Sequence, residues 1–245
     1  MYHVIFRGAN KQEIFHEDED CMKLLGIVKK NTIQFNVSIY AWCFMNNHVH
    51  FLLKEGDEGL SNTMKRIGVS YVSYYNQKYK TNGHLFQDRF KSEPVETDHY
   101  ARTVIRYIHQ NPVKAGMVDD LSEWRWSSCH EYYERNATFR LVDTTFILNM
   151  FAPGKVEATN RFVEFNEMQN QDVCLEEDVE KRRLTDDEAR PEIKRVLDGI
   201  EIVDVKSLPR LKRTEVLRKV KAIKGVSQRQ LARILGISPN LIFRA

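Results

Sequence analysis

The stretch Ala41-Trp42-Cys43-Phe44-Met45-Asn46-Asn47-His48-Val49-His50-Phe51-Leu52-Leu53 constrains the fold more than any other part of the chain. Apolar runs flank the Asn-Asn pair, a pattern that reads as two buried strands joined by a tight turn. Successive side chains of a strand point to opposite faces, so His48 and His50 share one face and Val49 and Phe51 the other. Two imidazoles side by side on a rigid element are one way to present a pair of metal ligands. The same spacing suits one core histidine and one polar face residue, and this segment alone does not choose between them.

Elements on either side of the hairpin follow from hydrophobic periodicity. Tyr2 to Arg7 reads as a strand ended by Gly8-Ala9-Asn10, and Glu17 to Lys30 has helical spacing through Met22, Leu25 and Val28 with acids in its first turn. Leu60, Met64, Ile67, Tyr71 and Tyr74 predict a long amphipathic helix to about Lys80, broken by Asn82-Gly83. Phe86 to Val95 predicts another strand, with Pro94 near an edge. Strand, helix, strand, strand, helix, strand is the order of an α+β, ferredoxin-like (RRM-like) antiparallel sandwich, with helices on one sheet face and the other open to ligands.

Asp98 then caps a third helix, Tyr100 to Gln110, that Pro112 stops. Tyr107 and Asn111 are four residues apart on it and so share a face. Spacing alone makes Tyr107 a core aromatic on the stripe Tyr100, Val104, Tyr107, Ile108. Trp124 and Trp126 pin a loop to the core. Asp143-Thr144 caps a short helix to Phe151, and Pro153-Gly154 separates it from one ending near Gln169. Asn170 to Arg183, acidic and poor in apolar residues, reads as a linker. Thr185 followed by three acids opens another helix. The domains expected are 1–133, a helical extension with the acidic linker at 134–205, and a basic segment at 206–245.

A net charge of +3 conceals a strong asymmetry. Lys206 to Ala245 holds eleven Lys and Arg against the single acid Glu215, whereas Glu164 to Glu192 holds eleven acids against four bases. The basic end predicts a polyanionic partner, and nucleic acid fits better than a merely solvated surface. Ser227-x-x-Gln230 reads as a capping box, Gly236 as a turn and Ser238-Pro239 as the start of a further helix, which with the helix Lys212 to Lys224 makes a helix-turn-helix. Arg229, Arg233, Asn240 and Arg244 are its candidate DNA contacts, although few residues remain in the second helix to reach base edges. A three-helix protein-interaction module is the alternative.

Cys21, Cys43, Cys129 and Cys174 are far apart, which argues against a zinc ribbon and a disulfide framework. No run approaches the ~18 apolar residues of a membrane span, and a strand follows Met1 at once. A cytoplasmic, nucleoid-associated protein with no membrane partner is expected.

Met45-Asn46-Asn47-His48-Val49-His50, followed some sixty residues later by Arg106-Tyr107-Ile108-His109-Gln110-Asn111-Pro112-Val113-Lys114-Ala115-Gly116, resembles the single-tyrosine HUH transposases, and among them the REP-associated tyrosine transposases. Tyr2-His3-Val4 with Arg7-Gly8, Phe86-Gln87-Asp88-Arg89-Phe90 and Trp126-Ser127-Ser128 add to the resemblance, which covers roughly residues 1–133. It implies a transposase that cleaves and rejoins single-stranded DNA, at hairpin or palindromic sequences, through a covalent 5′-phosphotyrosine. Tyr107 would be the nucleophile and His48, His50 and Asn111 the ligands of a divalent metal, Mg²⁺ or Mn²⁺. Two imidazoles and an amide oxygen leave positions open for phosphate and water, with Mn²⁺ favoured by the nitrogen ligands.

A free tyrosine titrates near ~10, so the nucleophile must lose its proton to a base that the sequence does not identify. Helical geometry turns His109 about 200° from Tyr107 and argues against it. Tyr71, Tyr74, Tyr75 and Tyr79 are rival nucleophiles, better read as packing or base stacking. A non-catalytic DNA-binding regulator and a water-using phosphodiesterase are the competing functions. Whether one chain or a homodimer builds the site stays open, as does duplex binding at the C-terminal segment.

Overall fold

The computed structural model describes residues 1–133, 139–172, 174–175, 184–223 and 225–243, in two compact units, Met1–Leu175 and Glu176–Ala245. The first unit contains β1 (Tyr2–Arg7), α1 (Asp18–Phe35), β2 (Ser38–Met45), β3 (His48–Lys54), α2 (Gly59–Tyr79), β4 (Lys91–Pro94), α3 (Asp98–Lys114), α4 (Cys129–Tyr132), α5 (Thr144–Leu148) and α6 (Lys155–Glu167). The second contains α7 (Asp186–Leu197), α8 (Arg210–Lys221), α9 (Gln228–Leu235) and α10 (Pro239–Phe243). The boundary falls inside the acidic stretch. Helices α5 and α6 therefore belong with the sheet, and α7 with the basic helices, rather than both to an intermediate segment at 134–205.

The four strands form one antiparallel sheet in the order β2-β3-β1-β4. The hairpin forms as its pattern predicts, with Met45 paired to His48 across the Asn46-Asn47 turn. That turn is held from outside. The Asn46 carbonyl accepts from Ile14 N at 2.8 Å and the Asn47 carbonyl from Gly8 N at 2.8 Å. Gly8 is obligatory there, since a Cβ would lie 2.1 Å from the Gln12 carbonyl oxygen.

Strand alternation divides the side chains between two cores. Val4, Phe6, Trp42, Phe44, Val49 and Phe51 face α1 and α2. Ala41, Cys43, Met45 and Leu52 face α3, α5 and α6 through Val104, Ile105, Ile108, Ile147 and Phe162. The expectation of helices on one face and an open second face is thus corrected. The long apolar stripe of α3 needs burial, and the second face, through Ala41, Cys43, Met45 and Leu52, supplies it.

Other boundaries shift for local reasons. Helix α1 runs five residues past Lys30 to Phe35, until Asn36 turns left-handed at φ 52°. The fourth strand is only Lys91–Pro94, and Phe86 contributes an isolated bridge to Gly8. The cap of α3 is Thr97, whose hydroxyl accepts from Tyr100 N at 3.1 Å, rather than Asp98. Pro112 lies inside α3 instead of stopping it, because Ala115 N still reaches the Asn111 carbonyl at 2.9 Å. The start of the supposed linker is a strap on α3. Asp172 takes Arg106 Nε and Nη2 at 2.7 and 3.0 Å, and Asn170 holds Gln110 and Lys114.

In the second unit Ala189, Ile193, Leu217, Val220, Leu231, Leu235 and Ile242 share a core. Thr185 and Glu188 cap α7 reciprocally. Only half of the box expected at α9 forms. Ser227 Oγ accepts from Gln230 N at 3.2 Å, while the Gln230 amide donates to the Leu184 carbonyl and to Asp186 at 2.8 and 2.9 Å. Gly236 ends α9 at φ 64°. Among the described residues, no helix is long and apolar enough to cross a membrane.

Candidate active site

The face of the sheet covered by α3 carries a buried histidine cluster. His48 and His50 alternate on β3 with Val49 between them, and their ring centroids lie 4.9 Å apart, edge to face. β1 adds His3, diagonal to His50 because Ile5 is the residue paired with His50. His3 Nε2 is 3.0 Å from His50 Nδ1, and His3 Nδ1 is 3.0 Å from Glu93 Oε1 on β4, directly across from His3 in the register. Glu93 Oε1 also accepts from Tyr100 OH at 2.8 Å and Leu175 N at 2.7 Å.

Tyr107 reaches this cluster from α3. Its ring stands edge-on to His3 and His50, 5.8 Å from each centroid, and the residue is 9 % exposed. Lys114 Nζ lies 5.5 Å from the same ring. Asn111, one turn on, donates from Nδ2 to the Tyr107 carbonyl at 2.9 Å, so its remaining polar atom is the amide oxygen Oδ1. The sequence-predicted residues His48, His50 and Tyr107 are therefore brought together, and Asn111 is tied to the Tyr107 backbone.

Burial sets the electrostatics. Desolvation, reinforced by the neighbouring His48, His3 and Arg7, holds the His50 pKa well below its ordinary value. Burial also lowers His3, against the opposing pull of Glu93. Burial pushes the Glu93 carboxyl up, but the bonds from His3, Tyr100 and the Leu175 amide outweigh it and keep its pKa below the usual value. The imidazoles of His3 and His50 are thus neutral near pH 7.

The donor set fits a divalent cation. Nε2 of His50 is buried and makes no hydrogen bond, and Nε2 of His48 is buried as well, while His48 Nδ1 meets Asn47 Oδ1 at 2.6 Å. A buried bare imidazole nitrogen costs free energy unless something fills its lone pair. No group of three or more His, Cys, Asp or Glu side chains among the described residues could hold a metal by itself, so an amide such as Asn111 would have to contribute.

The rival tyrosines are accounted for structurally. Tyr71 OH donates to the Ile14 carbonyl at 2.6 Å, Tyr74 and Tyr79 to Asp20 at 3.0 and 2.7 Å, and Tyr75 OH meets His16 at 2.8 Å, all on the α1/α2 side. His109 points away from Tyr107 into the α6 core, where burial pushes its pKa down to about 3.

The comparisons with known proteins fall on this same domain. The family model for IS200-like transposases matches residues 1–111, from β1 through Tyr107 to Asn111. Residues 1–111 are thus similar to the IS200-like transposases. The REP-associated tyrosine transposase of Escherichia coli K12 is 30% identical over 94 residues, which cover 38% of this chain and 54% of that protein. A putative REP-associated tyrosine transposase of Haemophilus influenzae is 26% identical over 102 residues, 37% of this chain and 57% of its own. The chain thus spans about half the length of these curated relatives. A solved REP-associated tyrosine transposase bound to a REP hairpin aligns at 20% identity and TM-score 0.46, over 57% of this chain and 81% of that one.

The sequence pattern points to two of the three clustered histidines, His48 and His50. It passed over His3 and Glu93, although Tyr2-His3-Val4 stood out as a motif. The only signal was alternation, which puts His3 opposite Val4. The register that lays His3 beside His50 and Glu93 joins strands 47 and 90 residues away and has no local signature.

In the second unit Arg229, Arg233 and Asn240 are exposed, and Arg233 is paired with Asp186 at 2.6 Å. Arg244 lies outside the described residues.

Proposed function

We propose that this protein is a DNA strand transferase that cleaves and rejoins single-stranded DNA through a covalent 5′-phosphotyrosine on Tyr107. The observation that carries this reading is the Tyr107 ring packed edge-on against the buried rings of His3 and His50, within a stretch similar to the IS200-like transposases. His48 and His50, with the Asn111 amide, are the residues that would hold a divalent metal, Mg²⁺ or Mn²⁺. Such an ion, when bound, would withdraw charge from a scissile phosphate.

In the chemical step the Tyr107 oxygen attacks phosphorus, the bond to the 3′ oxygen breaks, and the 3′-hydroxyl leaves with a proton while the tyrosine proton passes to a base or water. One phosphodiester becomes a phosphotyrosyl ester, so the step is close to isoenergetic and reversible, and another 3′-hydroxyl can reclaim the strand. No nucleotide cofactor is required. Hairpin or palindromic sequences are the proposed substrates.

We read the sheet with α1 and α2 as ferredoxin-like, and α8 to α10 as a helix-turn-helix that contacts duplex phosphates through Arg229 and Arg233. α10 has only five described residues, so base readout by this segment is limited.

A labelled single-stranded hairpin incubated with protein and Mn²⁺ tests the reading. A covalent protein–DNA adduct is expected with the wild type and none with Tyr107→Phe. An adduct that persists in Tyr107→Phe, or hydrolysed product without protein-linked DNA, overturns it.

A further inference from the structure

We propose that Glu93 and His3 are positioning residues that fix the tautomer of His50, so that His50 turns an unprotonated Nε2 toward a divalent cation. This inference rests on the reading of His48 and His50 as a metal pair. It assigns work to two side chains that neither touch DNA nor ligate the ion.

The direction of each hydrogen bond follows from what each group can do. An ionised carboxylate only accepts, and Glu93 Oε1 is met by three neighbours: His3 Nδ1 at 3.0 Å, Tyr100 OH at 2.8 Å and Leu175 N at 2.7 Å. His3 Nδ1 therefore carries a hydrogen. With its one hydrogen on Nδ1, a singly protonated His3 presents Nε2 as a bare acceptor. The atom 3.0 Å away, His50 Nδ1, must then be the donor. A neutral imidazole has one N–H, so the Nε2 of His50 is left as a lone pair.

An independent observation points the same way. Nε2 of His50 is buried and makes no hydrogen bond. Were the proton there, a buried N–H would lack an acceptor, the costlier arrangement. Metal-ligating histidines commonly donate their second N–H to an outer partner that sets ring orientation and tautomer. Here that partner is another histidine, backed by a carboxylate, in a row across three adjacent strands, β3, β1 and β4. Tyr100 ties the row to α3, the helix that carries Tyr107. The relay therefore couples the metal face of the sheet to the first turns of the nucleophile helix.

Two readouts decide the proposal, both on the full chain. In metal-free protein carrying ¹⁵N-histidine, two-bond ¹H–¹⁵N correlation should show His50 with Nδ1 protonated and Nε2 bare, and His3 likewise. His3→Phe and Glu93→Leu should disturb the His50 pattern and weaken Mn²⁺ binding, measured by calorimetry, about 10- to 100-fold. Glu93→Gln keeps an accepting oxygen and should retain the wild-type tautomer and bind Mn²⁺ close to wild type. Glu93 lies on an edge strand, so its variants report even if His3→Phe fails to fold. An Nε2-protonated His50 in the wild type, or an unchanged tautomer and affinity in Glu93→Leu, overturns the relay. A wild type that takes up no Mn²⁺, or a His50→Ala that binds it as well as wild type, overturns the metal reading instead.

Discussion

The two faces of the sheet are built from the same strands, one residue out of phase, and they treat polar groups in opposite ways. On the α1/α2 face the inward side chains are large and apolar, and the tyrosines that line it close their hydroxyls on Ile14, His16 and Asp20. On the α3 face the middle of the sheet holds three imidazoles, and the bare Nε2 of His50 has no hydrogen-bond partner. The first face maximises burial and satisfied bonds. The second leaves the buried Nε2 of His50 unsatisfied, an arrangement that costs stability.

Perturbing the first face should move stability and leave the tautomer of His50 alone. The largest effect is expected from Phe51→Ala, which empties a fully buried site between β3 and the helices and should cost about 3–5 kcal/mol. Urea unfolding measures it. If folded Phe51→Ala also lost the Nδ1–H tautomer of His50 one position away, the separation of the faces would fail.

Asp20 comes next. Burial pushes its carboxyl up, but bonds from Lys78, Tyr79, the His16 amide and Tyr74 prevail and hold it at about 2, against an ordinary 3.8. A depressed carboxylate pKa stabilises the fold fully above the unfolded value, and that share is lost as pH falls through the folded one. The wild type should therefore lose on the order of 2 kcal/mol between about pH 4 and pH 2 from this group. Asp20→Asn should start less stable and show a shallower acid loss in urea midpoints taken across that range. An unchanged slope would remove Asp20 from the account.

Smallest is Tyr71→Phe. It removes one buried hydroxyl bond to the Ile14 carbonyl and should cost about 1–2 kcal/mol. Adduct formation should be unaffected at a temperature where the variant is folded. A folded Tyr71→Phe that forms no adduct would break the comparison and return Tyr71 to the list of nucleophiles.

Local pattern explains much of the fold. The hairpin, the helical stripes of α1 and α2, the Thr185 cap and the Gly236 turn each rest on neighbours within a few residues, where propensity and periodicity act. The misses are of another kind. Pro112 was expected to stop α3, but its apolar stripe, buried on the sheet, carries the helix through it. Asp172 looked like solvated linker because its acidic neighbours outnumber its apolar ones, yet it meets Arg106 from 66 residues away. Gln230 was expected to cap its own helix and instead reaches α7.

The histidine site divides along the same line. Strand alternation by itself put His48 and His50 on one face, because side-chain direction in a strand follows from covalent geometry. Helical periodicity put Tyr107 and Asn111 on one side of α3 for the same reason. The sequence could not decide which strands would lie beside β3, or in what register. Those choices depend on summed burial over the whole sheet, with no local term large enough to signal them. Only the tertiary structure brought His3 to His50 and Glu93 to His3, and laid Tyr107 across the sheet face where all three meet.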